Sequence, residues 1–581
     1  MKFAKLRTAV LLMLLGCVHP STAQTPASGA TSAPKPAAKP VGVVPARPKL
    51  VVLLVVDQMR GDYVDKFQRQ WAGGLKRLVT EGAWFREAAY PYAATETCVG
   101  HSTISTGAFP ATHGMVANAW WDRDFQKMVT CTSDPKANNI AYGGATTRNG
   151  DSAWRMRVPA FAEELRFQTG GAARVVTFSL KARAAITMAG HKGDAVTWFE
   201  NGSWTTSSVF GTMPFVESYA QAHPVQADWG KTWTLALPQS SYLYDQKATG
   251  AVAPGGWELT FPHPLRGSPD SSRPDAAFYS QWAASPYADT YLTKMAEDAV
   301  DQLGLGKGGG TDFLGVSYSS VDYVGHAFGP RSWEIQDVLV RLDQDLDELF
   351  KHLDAKVGRG HYLVALSADH GVVPSPEDMQ KTGTDAGVLH LPEISEKVEK
   401  ALEPFNYTKP VVARVAGLDI YFSPGAYDRL KNDTAAMRAV LDGIRSVPGV
   451  AEVYRSEEVQ DRPATQSPLR VAEATGYFPG RSGDLLLVPK PYYLVASSPP
   501  GEPRDFGTGH GTPYYYDQHV PLLLMGWGIE HGEYFAPVTP ADIAPTLAAL
   551  CGVTLSLQDG HVLAEALRDS RKARSVSPTR R

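Results

Sequence analysis

At Lys49 the chain turns abruptly apolar. The run KLVVLLVVD (49–57) is unbroken aliphatic and ends in a carboxylate, Asp57. A half-exposed strand alternates apolar and polar residues. A strand with no polar side has both faces covered, as the central strands of parallel sheets do. The pattern recurs in TDFLGVSYSSVD (311–322), which ends at Asp322, and in HYLVALSADHG (361–371), which carries Asp369 and His370. HVPLLLMGWG (519–528) is a further run, and ARVVTFSLKAR (173–183) is another strand candidate, leading into Lys181 and Arg183. Between the runs the period becomes helical. From Glu334 onward, Val338, Leu342, Leu346, Leu349 and Leu353 fall on one helical face. Strands alternating with helices predict an α/β fold, with a mainly parallel central sheet and helices on both faces.

Two stretches break the rhythm. Residues from about 190 to 290 are dense in Trp, Tyr, Gly, Pro and Ser and read as a cap or large insertion. Residues from about 385 to 480 alternate helical and strand-like pieces (ISEKVEKALEPF, PVVARVAGLDIYFS, AAMRAVLDGIRSV, VAEVYRSE), which predicts a small α+β insertion. The main sheet then resumes. TPADIAPTLAALCGV (539–553) predicts a late helix with Thr539 as N-cap and Pro540 in its first turn.

The segment before Lys49 has a different character. Lys2, Lys5 and Arg7 precede the short apolar core Ala9–Leu15, the layout of an export signal over residues 1–23. That core is too short to span a bilayer. Two endings compete: Leu14-Leu15-Gly16-Cys17 resembles a lipoprotein box that would lipidate Cys17, and Ser21-Thr22-Ala23 offers ordinary cleavage. Residues 24–48 are rich in Pro, Ala and Ser and read as a tether, so the globular part is expected over 49–581. Either ending places the mature chain outside the cytoplasm, in the periplasm, at the envelope or secreted. Membrane attachment is expected only through a lipid on Cys17.

The net charge of −4 over 581 residues provides no basic face for nucleic acid. Cys98, Cys131 and Cys551 are odd in number beyond the signal, so at most one internal disulfide can form, and their spacing matches no cysteine-based zinc motif.

The chemistry gathers at the strand ends. Ligands of open α/β sheets bind beyond the carboxyl ends of the strands, where Asp57, Asp322 and Asp369 would converge. His326 lies four residues after Asp322, His370 adjoins Asp369, and GTGHGTPY offers His510 in a glycine-rich loop. A lone strand-end Asp is usually a helix cap and a lone His is usually structural, but carboxylates and imidazoles gathered in this way are a zinc ligand set. The segment TETCVGHSTISTGAFPATHGMVAN (95–118) supplies hydroxyls ahead of a predicted helix, whose amino end favours an anion.

These motifs resemble the alkaline phosphatase superfamily and, within it, the bacterial threonine-nucleophile, phosphate-irrepressible alkaline phosphatases; more distantly they are similar to nucleotide pyrophosphatase/phosphodiesterases. The likeness rests on VVDQMRGDY (55–63), TETCVGH (95–101), STGAFPATHGMVAN (105–118), SLKAR (179–183), SSVDYVGHAFGP (319–330), SADHG (367–371), GTGHG (507–511) and DIAPTLAALCGV (542–553). It implies two Zn2+ ions, one held by Asp322, His326 and His510, the other by Asp57, Asp369, His370 and the Thr97 oxygen. It further implies that Thr97 is the nucleophile, through a phosphothreonine intermediate, and that Asn118, Lys181 and Arg183 bind the phosphate oxygens of small phosphate monoesters. His101 and His113 are expected to hold the loop. The C/S-x-P-x-R motif of the superfamily's sulfatases is absent after Cys98, and no acidic set for a third, magnesium site stands out. The competing expectations are a phosphodiesterase or nucleotide pyrophosphatase with the same metals, its second ester group lodged in the 190–290 insertion, and an exported binding protein without chemistry.

Overall fold

The computed structural model describes residues 47–144, 146–460 and 467–568. The export signal, Cys17 and the tether up to residue 46 lie outside the described residues. No helix among the described residues is long and apolar enough to cross a membrane.

The elements that build the site are, in chain order, β1 (Leu50–Val56), α1 (Thr97–Thr106), β2 (Val175–Ser179), α2 (Ala182–Ala189), β3 (Ala195–Glu200), β4 (Asp312–Tyr318), α3 (Ser320–Phe328) and β5 (Tyr362–Ser367). Five adjacent strands, in the spatial order β5–β1–β4–β2–β3, run parallel. Within this sheet β1 is paired on both sides, with Leu50 in register with Asp312 of β4 and Tyr362 of β5. Its unbroken apolar run is explained by the pleat, which sends successive side chains to opposite faces. Leu50, Val52, Leu54 and Val56 enter one core with Val338, Leu342 and Leu346 of the helix Trp333–Leu353. Val51, Leu53 and Val55 enter a second core with Ile104 of α1, Ile186 of α2 and Leu547. Both faces are therefore covered by helices.

The margins are not parallel. Leu522–Gly526, within the last apolar run, pairs antiparallel with β5, and Ser203–Ser207 pairs antiparallel with β3. Burial on both faces demands the same apolar run in either direction, so composition did not reveal the reversal. β3 and Ser203–Ser207 also extend the main sheet from within the 190–290 stretch. The remainder of that stretch packs aromatic rings, Trp233 among Trp257, Phe261 and His263. The later insertion forms its own four-stranded antiparallel sheet (Val412–Ala416, Asp419–Phe422, Leu485–Pro489, Val450–Arg455). Helices Leu391–Ala401 and Thr434–Arg445 share its separate core through Ile394, Val398, Val440 and Ile444. Thr539 caps a short 3₁₀ turn, Pro540–Asp542, through a capping box, and the helix Ile543–Cys551 follows it directly.

Candidate metal and phosphate site

Parallel strands deliver their carboxyl ends to one edge of the sheet, and the chemical groups sit there. Asp57 follows β1, Lys181 and Arg183 follow β2, Asp322 and His326 lie one turn apart on α3 after β4, and Asp369 and His370 follow β5. The loop 507–511 brings His510 in from the far end of the chain. Two clusters of potential metal donors result, Asp322–His326–His510 and Asp57–Asp369–His370, with the donor atoms of each within 4.8 Å of one another.

The histidines are held in one tautomer. Nδ1 of His326 donates to the Thr508 carbonyl (3.0 Å), Nδ1 of His370 to that of Gly371 (3.0 Å), and Nδ1 of His510 to that of Thr95 (2.8 Å). The Nε2 atoms of His370 and His510 are left for a ligand, the arrangement metal-binding imidazoles adopt, whereas His326 Nε2 lies 3.2 Å from Asp322 Oδ1, whose charge raises the His326 pKa against the effect of burial. Burial pushes the pKa of His370 down; burial followed by the charges of His370 and His326 pushes that of His510 well down. The two rings stack 3.5 Å apart.

The carboxylates complete the case for cations. Asp57 Oδ1, Asp369 Oδ2 and His370 Nε2 are buried polar atoms without a hydrogen bond of good geometry, although His370 Nε2 lies 3.6 Å from Asp57 Oδ1 and 3.4 Å from Asp369 Oδ2, and His101 Nδ1 lies 3.2 Å from Asp369 Oδ2. Buried polar atoms are normally satisfied, so three orphans facing one another fit a shared ion. Burial, reinforced by repulsion from Asp322 and Asp369, raises the Asp57 pKa well above the usual carboxylate range. Burial acts the same way on Asp322, but the nearby Lys181 charge, followed by His326, outweighs it and holds that group well below the range. The buried Lys181 ammonium lies 2.5 Å from Asp57 Oδ2 and 2.5 Å from Asp322 Oδ2. It thus ties together carboxylates of both clusters, a placement its position after a strand did not reveal.

Thr97 opens α1 and is buried. Arg183 Nη2 donates to its Oγ1 across 3.5 Å. His101, one turn on, contacts both the Thr97 carbonyl (2.9 Å) and Asp369 Oδ2 (3.2 Å) through Nδ1, and Ser317 through Nε2 (2.9 Å). It therefore fastens the start of α1 to the Asp369 cluster. His113 bonds Thr103 Oγ1 and the Met115 amide, and burial lowers its pKa to about 3. Asn118 is locked at three atoms: its amide donates to Glu96 Oε2 (2.6 Å), its Oδ1 accepts from the Cys98 amide (2.8 Å), and its carbonyl accepts from the Cys131 amide (2.9 Å). A Cys98–Cys131 disulfide closes this frame, and Cys551 is free and buried.

Sequence reasoning missed three residues. Gln58, at φ 67°, donates its backbone amide to Asp369 Oδ1 (3.0 Å) and Nε2 to Asp322 Oδ1 (2.7 Å), spanning the clusters. Only its adjacency to Asp57 marked it. Glu96 anchors Asn118, and Gly100 lets α1 approach Asp369. A Cβ at Gly100 would lie 2.1 Å from the Asp369 carbonyl oxygen.

Known proteins resemble this chain over most of its length. Residues 51–513 match the family described as type I phosphodiesterase / nucleotide pyrophosphatase. Alkaline phosphatase PafA of Elizabethkingia meningoseptica is 33% identical over 518 residues, covering 87% of this chain and 91% of that protein. Alkaline phosphatase PhoV of Synechococcus elongatus is 31% identical over 519 residues, covering 87% and 90%. The crystal structure of wild-type alkaline phosphatase PafA superposes with a TM-score of 0.81 at 32% identity, covering 91% of this chain and 100% of that one. Murine ectonucleotide pyrophosphatase / phosphodiesterase 5, at 15% identity and a TM-score of 0.52, covers 89% of this chain and 100% of that one and shares the fold. The chain belongs to the type I phosphodiesterase / nucleotide pyrophosphatase family of the alkaline phosphatase superfamily.

Proposed function

We propose that the chain is an exported, zinc-dependent phosphate monoester hydrolase that works through a phosphothreonine on Thr97. The observation that carries this reading is the pair of donor clusters, one of them with orphaned carboxylate oxygens, beside a buried threonine at a helix start. Asp322, His326 and His510 would hold one zinc; Asp57, Asp369 and His370, with the Thr97 oxygen, would hold the other. Zinc in these clusters supplies positive charge to a transferring phosphoryl group and acidifies a hydroxyl that it touches.

The chain's own residues do the rest. Thr97 Oγ1 loses its proton and bonds to phosphorus as the ester bond breaks, and the alcohol departs with the bonding electrons and gains a proton. Water then displaces Thr97 and releases inorganic phosphate. Arg183 and Lys181 supply charge to the non-bridging oxygens. With its Oδ1 engaged by the Cys98 amide, Asn118 has its Nδ2 group left for a phosphate oxygen. The export signal expected from the sequence supports a location outside the cytoplasm, where a Cys98–Cys131 bond would be stable.

The diesterase reading draws support from the name of the family, and one comparison separates the two. Zinc-loaded protein is expected to hydrolyse a phosphate monoester faster than its methyl diester by several orders of magnitude, and to lose this activity on chelation. A diester preference would assign Lys181, Arg183 and Asn118 other work. Gly100→Ala is expected to lower monoester turnover by about a hundredfold, because a shift of about 1 Å at a reacting group costs that much. Steady-state kinetics paired with circular dichroism reads this effect. Unchanged turnover would show that α1 has room to move.

A further inference from the structure

Beside the Asp322 cluster lies a cavity of about 790 Å³, within the range of small-molecule sites. It is walled by Leu180, Phe199, Tyr279, Tyr323, Ala327 and Phe506. Three of these adjoin site residues in the chain: Leu180 precedes Lys181, Tyr323 follows Asp322, and Ala327 follows His326. Two rings also touch the site. The Tyr323 ring lies 5.2 Å from Lys181 Nζ, and the exposed Phe506 ring lies 5.1 Å from the His326 ring. Phe506 sits on the stretch that carries His510. The cavity therefore adjoins the metal and phosphate site.

Its position relative to Thr97 identifies the occupant. α1 is fastened to Asp369 through His101 and Gly100, so phosphorus is attacked from the Asp369 side. In-line displacement would then direct the departing oxygen to the opposite side, toward Asp322 and His326, next to which the cavity lies. The charged residues lining the cavity, Asp275 and Asp505, are both acidic. They oppose an ester group that carries negative charge of its own.

We propose that this cavity is a leaving-group subsite selecting aromatic or apolar, uncharged ester groups. This rests on the phosphomonoesterase reading above. Tyr279 and Phe506 flank the departing alcohol, and Ala276, exposed at the start of the helix Ala276–Ala283, lies on the cavity wall.

Benzyl and methyl phosphate test the subsite, since both release unactivated alcohols. Zinc-loaded protein is expected to favour benzyl over methyl phosphate by about tenfold or more in kcat/KM. It should bind benzylphosphonate, which cannot be hydrolysed, more tightly than methylphosphonate by a similar factor in calorimetry. Tyr279→Ala and, should that variant misfold, the surface variant Ala276→Trp are expected to bring both ratios near one. Ratios that stay at the parent value in a folded variant would overturn the subsite while leaving the phosphatase reading intact. Tighter benzylphosphonate binding without turnover of either ester would sink the phosphatase reading and, with it, the leaving-group role of the cavity. Benzyl methyl phosphate supplies a third outcome: release of methanol with retention of benzyl phosphate would overturn the leaving-group assignment.

Discussion

A Thr97→Ala protein is expected to turn over phosphate monoesters at least about 10⁴-fold more slowly than the parent chain. No neighbour can replace the lost hydroxyl. Cys98 is locked in a disulfide, Thr95 Oγ1 donates to the Thr512 carbonyl, and Ser102 Oγ donates to the Cys98 carbonyl. The measurement is steady-state hydrolysis alongside acid-quench trapping of radiolabelled phosphoprotein. The parent chain should yield phosphothreonine and the variant no label. Thr97→Ser keeps the hydroxyl and should retain labelling on serine. A labelled alanine variant with full turnover would remove Thr97 from the mechanism.

The second large effect concerns charge. Replacing both Lys181 and Arg183 with Ala is expected to slow monoester hydrolysis by about 10³-fold or more, and diester hydrolysis by about tenfold or less. A monoester brings an additional negative charge, which on the proposed reading these two cations would meet, Arg183 lying 3.5 Å from Thr97 Oγ1. Lys181 carries a second burden, because its removal leaves Asp57 and Asp322 buried without their common partner. Zinc content and thermal stability must therefore be followed in each single variant. Equal slowing of both substrates would recast Lys181 as a structural partner of the carboxylates rather than a reader of substrate charge.

The strand-end carboxylates were readable because burial on two faces forces an unbroken apolar run, and a charge can appear only where that run leaves the core. Asp57, Asp322 and Asp369 are marked in this way, and the histidines follow from adjacency or from a glycine-rich loop. What stayed hidden depends on approach between distant segments. Nothing local to Gln58 reveals a left-handed backbone that turns its amide to Asp369. Nothing in TETCVGH shows that Gly100 must clear a carbonyl brought by β5, nor that Cys98 pairs with Cys131 rather than Cys551. The late antiparallel strand was hidden because direction leaves no trace in composition.

The placement of β1 has a consequence for the order of synthesis. Among the described residues it is the first strand made, yet its neighbours in the sheet are Asp312–Tyr318 and Tyr362–Ser367. A growing chain therefore carries Leu50–Val56 without strand partners until most of the protein exists, and such non-local pairing is slow to form. An unpaired apolar strand invites self-association, which makes the nascent chain a client for holding factors. If the chain is exported as proposed, the same delay would keep it unfolded enough to thread through an export channel. Asp57 meets Asp369 only once β5 has been made, so the site is assembled only after the sheet has closed around its first strand.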